Sequence, residues 1–548
     1  MLDIVTSEGE AMRPFTFKPK EHRVVFLDFK TGKGFTSTGQ PVTAHIDSRR
    51  KTPALHDLLN AAGGIDATWI MLTGTEPKRG EGQPHYLMSN TPEWEHGTHY
   101  LSDEPTGRYT RILTGQKILV TYARSWFGSM SYNPYTLAKA WGGITWYIKK
   151  HTPGLGTPME SPAATGANMW ANLVGKNLDE VPPLDNFIAE QIHATSGQHH
   201  IDHLVSGPAF SKQNDCIPLV DSKEVKELDQ FAYVDGRFMY ASLCRELGVG
   251  PVHELRRDEA ADLLREQPYA KARYRIKFQV PDTWEHIGIF GVQDTADKKL
   301  WHYPNRPGAT GETWADHREI LVALEHGWII DPQEAIRFTE GHKPLDSYAS
   351  RIDKIRADID TAVQNGSDPV VGKAISAAFR NILLHSIGRF AKRGREITKT
   401  VSSFNDIPEE YRSTAIRQGN DFSYVQRQKL NDRDMAFYHP ELAAQVWGLS
   451  RARLLESPSA LGPKTAGVLH LDPRTVIGVR GDAVYTSDVP LWALPASLGG
   501  GDDGRTGRLR LKGVLEGGTI KTPRTIKQRD ELAKKAEKAG LEALYKGN

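Results

Sequence analysis

Apolar and polar positions alternate with period two in "RYRIKFQV" (residues 273–280). Tyr274, Ile276, Phe278 and Val280 fall on one face and Arg275, Lys277 and Gln279 on the other, the pattern of a half-buried strand. Other runs are apolar throughout and end on an acid. "RVVFLDFKTGKGF" (23–35) predicts a strand closing around Asp28, and Phe231 to Val234 closes on Asp235-Gly236. "KILVTYA" (117–123) predicts a further strand, with Gly-, Pro- and Trp-rich connections of low periodicity between it and the first. Small residues and prolines in "GLGTPMESPAATGANM" (154–169) read as a loop, and Leu184 to His193 as a helix. The bulky Phe238-Met239-Tyr240 triplet leads into a helix-like segment stopped by Gly248.

Periods near 3.6 dominate further on. "TWADHREILVALEHGW" (313–328) opens with Thr313 and Asp316 at capping-box spacing and sets Ile320, Leu324 and Trp328 four apart, which predicts a helix packed on one side. A long helical region runs from about Ser347 to Lys392, broken by "NGSDP" (365–369). Its second half places Ile375, Phe379, Ile382, Leu383, Ser386 and Phe390 on one stripe, with Lys373 and Arg380 beside it. "TVIGVRGDAVYTS" predicts a hairpin turning at Gly481-Asp482. The chain from about residue 500 is glycine-rich, then basic through Arg505, Arg508, Arg510, Lys512, Lys521 and Arg524, and ends in a charged helix.

With 548 residues, two to four domains or subdomains are expected. Net charge is +2, so any phosphate-binding surface has to be a local patch. Two cysteines without metal-ligand spacing fit a reducing compartment, and neither a signal peptide nor a long apolar span is visible. The expectation is an intracellular protein of the cytoplasm, with no membrane partner.

An acid at the tip of a buried strand has two readings of equal weight: Asp-Gly turn chemistry, or a ligand that holds Mg²⁺ over a nucleotide phosphate. The second needs another acid from elsewhere in the chain, and Asp482 at the predicted hairpin tip supplies a candidate. Asp235 with a downstream Tyr240, a basic helix carrying Arg380, and Asp482 stand in a fixed order.

Together these elements resemble motifs A, B and C of family B DNA polymerases, most closely the protein-primed branch of phages and linear plasmids. Motif A, D-x-x-S-L-Y-P, reads Asp235-Gly236-Arg237-Phe238-Met239-Tyr240-Ala241, keeping the Asp and the Tyr. Motif B, K-x-x-x-N-S-x-Y-G, reads Arg380 for the Lys and keeps Gly388, followed by Arg389 and Phe390, while Leu384 and Ile387 replace its Asn and Tyr. Motif C, D-T-D, keeps the second acid as Asp482, with Arg480 in place of the first. About 145 residues separate Asp235 from Arg380, room for the insertion that marks protein-primed enzymes. "TIKTPRT" stands where the family has K-x-Y, with Lys521 kept and Pro523 for Tyr.

The resemblance implies an α+β multidomain fold: an RNase H-like, exonuclease-like domain over 1–205, palm and fingers over 206–500, and a basic thumb-like region over 501–548. It implies template-directed addition of deoxynucleotides by two-metal phosphoryl transfer. Asp235 and Asp482 would hold two Mg²⁺ ions, or Mn²⁺ in their place. Tyr240, Arg380 and Gly388 would bind the deoxynucleoside triphosphate, with Tyr240 excluding a 2′-hydroxyl by bulk. Arg389, Lys512 and Lys521 would hold primer and template DNA, and a terminal protein is the implied primer. Arg480 beside a metal ligand leaves a second reading open: a polymerase-shaped protein that grips DNA in replication or end maintenance without catalysis.

The N-terminal "FLDFKTG" resembles the first exonuclease motif, D-x-E, with Lys30 where Glu belongs. A cation in place of a metal ligand predicts a domain that keeps the fold and has lost proofreading, and makes a nuclease built on Asp28 the third reading. "KTGKGFTS" lacks P-loop spacing. His193, His199, His200 and His203 lack ordered ligand spacing and read as solvated or hydrogen-bonded histidines. The aromatic "ARSWFGSMSYNPY" (123–135) offers rings for stacking single-stranded bases, with core packing as the simpler use.

Overall fold

The computed structural model describes residues 23–541, apart from 79, 81–82, 102–103, 175–180, 182–183, 197–201, 205, 207–214, 246, 295–300, 341–342, 393–395, 419–420 and 428–436. The first sheet has seven strands: β1 (Val24–Asp28), β2 (Lys33–Thr36), β3 (Pro41–Thr43), β4 (Trp69–Thr73), β5 (Trp94–Tyr100), β6 (Thr106–Arg111) and β7 (Lys117–Tyr122). Their spatial order is β3-β2-β1-β4-β7-β6-β5, with β1, β4 and β7 parallel and the remaining pairs antiparallel. Because β1 and β4 are buried on both faces, they read as continuous apolar runs. Val25, Leu27, Ile70 and Leu72 meet helix α1 (Leu55–Gly64). Val24, Phe26, Trp69 and Met71 meet α2 (Ala123–Phe127) and α3 (Pro134–His151). This is the RNase H-like arrangement expected. The stretch between the two apolar runs, which showed no period, supplies α1 and the strands β3 to β6.

Two expected elements differ. The stretch 154–169 is loop only at its start, because Pro162–Val174 forms helix α4. Its small residues serve close packing: a Cβ on Gly166 would stand 2.5 Å from the Ile382 carbonyl oxygen. Thr313 does not open a helix, since it lies in a strand paired with Ile276. Asp316 is the N-cap instead, accepting from Arg318 N while its own N–H donates to Glu319, and the helix covers His317–Glu325.

Strands β8 (Asp202–Leu204) and β9 (Glu227–Gly236) begin the second sheet, and the one-turn helix α5 (Met239–Leu243) follows β9. An inserted antiparallel sheet is built from β10 (Val249–Arg256), β11 (Ala272–Gln279), β12 (Thr310–Asp316) and β13 (Ile329–Glu340), in the order β10-β13-β11-β12. Helices α6 (Asp346–Gln364) and α7 (Pro369–Phe390) then form an antiparallel pair across the predicted break, where Asp368 caps α7. The chain returns to the second sheet with β14 (Val476–Arg480), β15 (Ala483–Thr486) and β16 (Leu509–Lys521), completing the antiparallel order β16-β9-β15-β14-β8. Helix α8 (Ile526–Ala539) lies on this sheet, with Ala533 and Ala536 against Phe231, Tyr485 and Ile477.

Residues 202–204 pair with β14 in the second sheet, and residues 509–521 form its edge strand beside β9. Among the described residues no helix is long and apolar enough to cross a membrane.

Candidate functional site

The second sheet joins the two sequence-distant acids. Asp235 closes β9, opposite Ala483 on one side and Arg510 on the other. Asp482 sits in the turn between β14 and β15, where Gly481 adopts φ +58, a conformation glycine reaches without strain. The Gly236 N–H donates to the Asp482 carbonyl at 3.1 Å, which brings the hairpin tip against the end of β9. A Cβ on Gly236 would stand 2.4 Å from Asp482 Oδ2, so glycine is required for this approach. Asp235 is buried at 6% exposure and Asp482 half-buried. Burial first, and the charge of Asp235 second, hold the Asp482 carboxyl well above the usual carboxylate range.

Positive charge surrounds the pair. Lys512 Nζ lies 3.6 Å from Asp235 Oδ2 and 2.9 Å from Glu537 of α8. Arg380 and Lys512 both pull the Asp482 carboxyl back toward ionisation. Tyr240, on α5, has its hydroxyl pushed up by burial and then by Asp482, with Arg380 opposing. Arg480, the residue that departs from motif C, donates to Asp530 of α8 at 3.0 Å. The acid-to-cation change is thus taken up by an ion pair with the C-terminal helix.

The segment after Asp235 is held in an unusual shape. Phe238 adopts φ +49, uncommon for a bulky residue and concentrated at functional positions. Arg237 keeps it there, making a forked contact to Asp502 at 3.3 and 2.6 Å while its N–H donates to the Arg508 carbonyl. Arg356 of α6 covers the Phe238 ring at 4.3 Å, and burial followed by Arg380 and Arg510 affects its guanidinium, which is held below its ordinary pKa. A cavity of about 520 Å³ opens between α6 and α7, with Arg356, Lys373 and Arg380 in its lining.

Arg356 and Arg510 escaped the sequence reading as site residues. Arg510 had a signal in the period-two series Arg508, Arg510, Lys512. Arg356 had a weaker one, as a cation between the buried Ile352, Ile355 and Ile359 of one apolar stripe. Three expected residues lie elsewhere. Gly388 and Arg389 stand about 12 and about 14 Å further along α7 from Arg380 at 1.5 Å per residue, and Arg389 lies over Phe437 at 5.9 Å. Lys521 pairs with Glu227, eight residues back along β9 from Asp235, so it lies at the opposite end of the sheet, and Lys512 is the lysine beside the acids.

In the N-terminal domain Asp28 ends β1 as expected, but its Oδ1 accepts from Lys30 N at 3.0 Å, Thr31 N at 2.8 Å and Thr31 Oγ1 at 3.0 Å. His199 and His200 lie outside the described residues. His193 and His203 are separated, one near Tyr438 and the other stacked on Tyr303. Among the described residues no group of three or more His, Cys, Asp or Glu side chains is placed to hold a metal ion.

No family model matches the chain, and no curated protein matches it. Its fold is that of a solved polymerase. Phi29 DNA polymerase complexed with primer-template DNA, in a post-translocation binary complex, is 11% identical, with 90% of this chain and 85% of that chain covered at a TM-score of 0.50. The ternary complex of the same polymerase, with primer-template DNA and incoming nucleotide substrates, gives 10% identity, 91% and 85% coverage and a TM-score of 0.49.

Proposed function

We propose that the chain is a template-directed DNA polymerase that adds deoxynucleotides at a site built on Asp235 and Asp482. The observation that carries the reading is the meeting of these two carboxylates, about 250 residues apart in sequence, at one end of the second sheet of a polymerase fold. An oxygen-only pair whose members repel each other in a half-buried site suits a hard divalent cation, which relieves the repulsion. When bound, Mg²⁺ or Mn²⁺ would polarise the reacting phosphate and lower the pKa of the primer hydroxyl.

The remaining roles fall to this chain's own cations and rings. Arg356, Lys373 and Arg380 line the cavity between α6 and α7 and supply a phosphate-holding set for the triphosphate. Tyr240 takes the floor beneath the sugar, where its bulk excludes a 2′-hydroxyl. Lys512 sits beside Asp235 and holds a primer phosphate there. Primer-template DNA and deoxynucleoside triphosphates are the proposed partners. The insertion over β10–β13 supports a terminal protein as primer, in a phage or linear-plasmid replicon. Asp28, engaged by the turn that follows it and with Lys30 in place of the second acid, does not fit a metal, so the N-terminal domain carries no proofreading chemistry in this reading.

The test is extension of a labelled primer on single-stranded template with Mg²⁺ and four deoxynucleotides, beside Asp235→Asn and Asp482→Asn. Extension lost in both variants supports the reading. The placement of Lys512 on Asp235, where a metal would compete with it, favours the second reading of a DNA-gripping protein without catalysis. Salt-sensitive DNA binding with no extension by the unaltered chain would establish that one.

A further inference from the structure

Helix α3 buries one side against β1, β4 and α7 and leaves the other to solvent. Its exposed positions are Tyr135, Lys139, Gly142, Trp146, Lys149 and Lys150. At 3.6 residues per turn these fall within about 100° of the helix surface and run about 22 Å along it. The stripe holds two large rings and three lysines, and the whole helix contains no acidic residue. The rings are exposed far beyond what packing requires, Tyr135 at 47% and Trp146 at 54%.

Each ring carries a lysine: Lys139 Nζ lies 4.6 Å from the Tyr135 ring centre and Lys150 Nζ 4.8 Å from that of Trp146. Between the two pairs Gly142 exposes bare backbone, and a Cβ there would touch nothing within 4 Å. Glycine inside a helix costs about 1 kcal/mol against alanine. Its position mid-stripe leaves room for close approach.

We infer that this face of α3 is a track for single-stranded DNA, the unpaired part of the template, with Tyr135 and Trp146 stacking bases and Lys139, Lys149 and Lys150 meeting phosphates. The inference rests on the DNA partner proposed above. Rings interleaved with cations suit a strand whose base faces are free, whereas a duplex hides those faces. The position fits a strand passing along the molecule. Tyr135 meets Phe35 at 5.2 Å beside the cavity that contains Asp28 and Tyr132. At the other end Lys150 and His151 approach Asp358 of α6 at 3.7 and 3.6 Å, next to the helix pair carrying Arg356 and Arg380. Asp358 is the acid that a phosphate would displace there.

The test is a titration of the full chain against fluorescently labelled oligo-dT of 20 nucleotides, with an abasic strand of the same length and a blunt duplex as comparisons. It is run without nucleotide or divalent metal, so failure of the polymerase reading and failure of this one are told apart. Trp146→Ala with Tyr135→Ala should weaken oligo-dT binding about 10- to 100-fold, the scale of base–aromatic stacking. Binding of the abasic strand and duplex should change less than threefold. Lys139→Gln with Lys150→Gln should reduce the salt dependence of all single-strand binding. Oligo-dT affinity within twofold of the unaltered chain in the ring variant, or an equal loss for duplex and abasic strand, would overturn the inference. Both pairs lie at exposed positions, and an unchanged melting temperature separates lost contact from lost fold.

Discussion

Two strands of this molecule end on an acid after an apolar run, β1 at Asp28 and β9 at Asp235, and the fold uses them in opposite ways. Asp28 turns back on its own chain, and its Oδ1 satisfies the N–H groups of Lys30 and Thr31. Asp235 meets groups that arrive from far along the sequence: Asp482 in a hairpin turn, on which Arg380 also acts, and Lys512 on the neighbouring strand. Local turn chemistry engages the first acid, and convergence of distant elements gives the second a site. In both cases a glycine makes room, since a Cβ on Gly74 would stand 2.4 Å from Asp28 Oδ2 and one on Gly236 2.4 Å from Asp482 Oδ2. The shared sequence signature therefore reports a tightly packed strand end and does not tell the two fates apart.

The largest expected effect separates the two acids directly. Asp235→Asn and Asp482→Asn should each lower primer extension on the order of 10²- to 10³-fold or more, the scale of losing a preorganised charge in a reacting site. Asp28→Asn should leave extension within twofold and lower stability by about 1 kcal/mol through the weakened turn. Equal loss of extension from Asp28→Asn would break the contrast. The glycines sharpen it next. Gly236→Ala forces the two acids of the site apart and should depress extension at least about tenfold, on the scale of a small misplacement at a reacting centre. Gly74→Ala, at φ +87, should lower stability by about 2 kcal/mol and leave extension per folded molecule unchanged. Thermal melting and active-site titration distinguish these outcomes.

Acid should stress the second sheet and its surroundings through two buried histidines, while Asp482, whose carboxyl is held high, takes up its proton over the same fall in pH and opposes them. Burial holds His203 of β8 down at about 3, and burial holds His286 down at about 4. Below their ordinary value near 6.5 the unfolded chain takes up protons that the folded chain refuses, so the histidines' contribution to stability rises with pH across this window. It is complete above about pH 6.5 and is lost progressively as pH falls toward 4 and 3. At pH 5 each histidine should remove about 2 kcal/mol. Melting temperatures of Asp482→Asn between pH 7 and 5, where the opposing proton uptake of Asp482 is removed, check this, and a flat profile would contradict the buried neutral state. The smallest effect is expected at Arg480. Its bond to Asp530 is exposed on the arginine side, so Arg480→Ala should cost under about 1 kcal/mol and leave extension within twofold. A large loss of extension would place Arg480 among the working cations.

Much of the fold was legible because it rests on local pattern. The alternation at 273–280, the apolar run ending at Asp235, the helix pair broken at 365–369 and the hairpin turning at Gly481-Asp482 all form where their periods place them. Patterns with two physical causes misled. Small residues at 162–169 looked like a loop and are a helix packed closely on α7. Basic residues after 500 read as a tail with a thumb-like role, and residues 509–521 form the edge strand beside β9.

What the sequence determined by itself is the order of three chemical elements, a strand-end acid, a basic helix and a hairpin-tip acid, because each depends on residues within a few positions of one another. Only the tertiary structure decided which groups share a site. It set Lys512 and not Lys521 beside Asp235, brought Arg356 over Phe238, turned Arg480 toward α8, and left Asp28 to its own turn. Those choices follow from strand register and helix packing, which join residues hundreds of positions apart and leave no period in the chain.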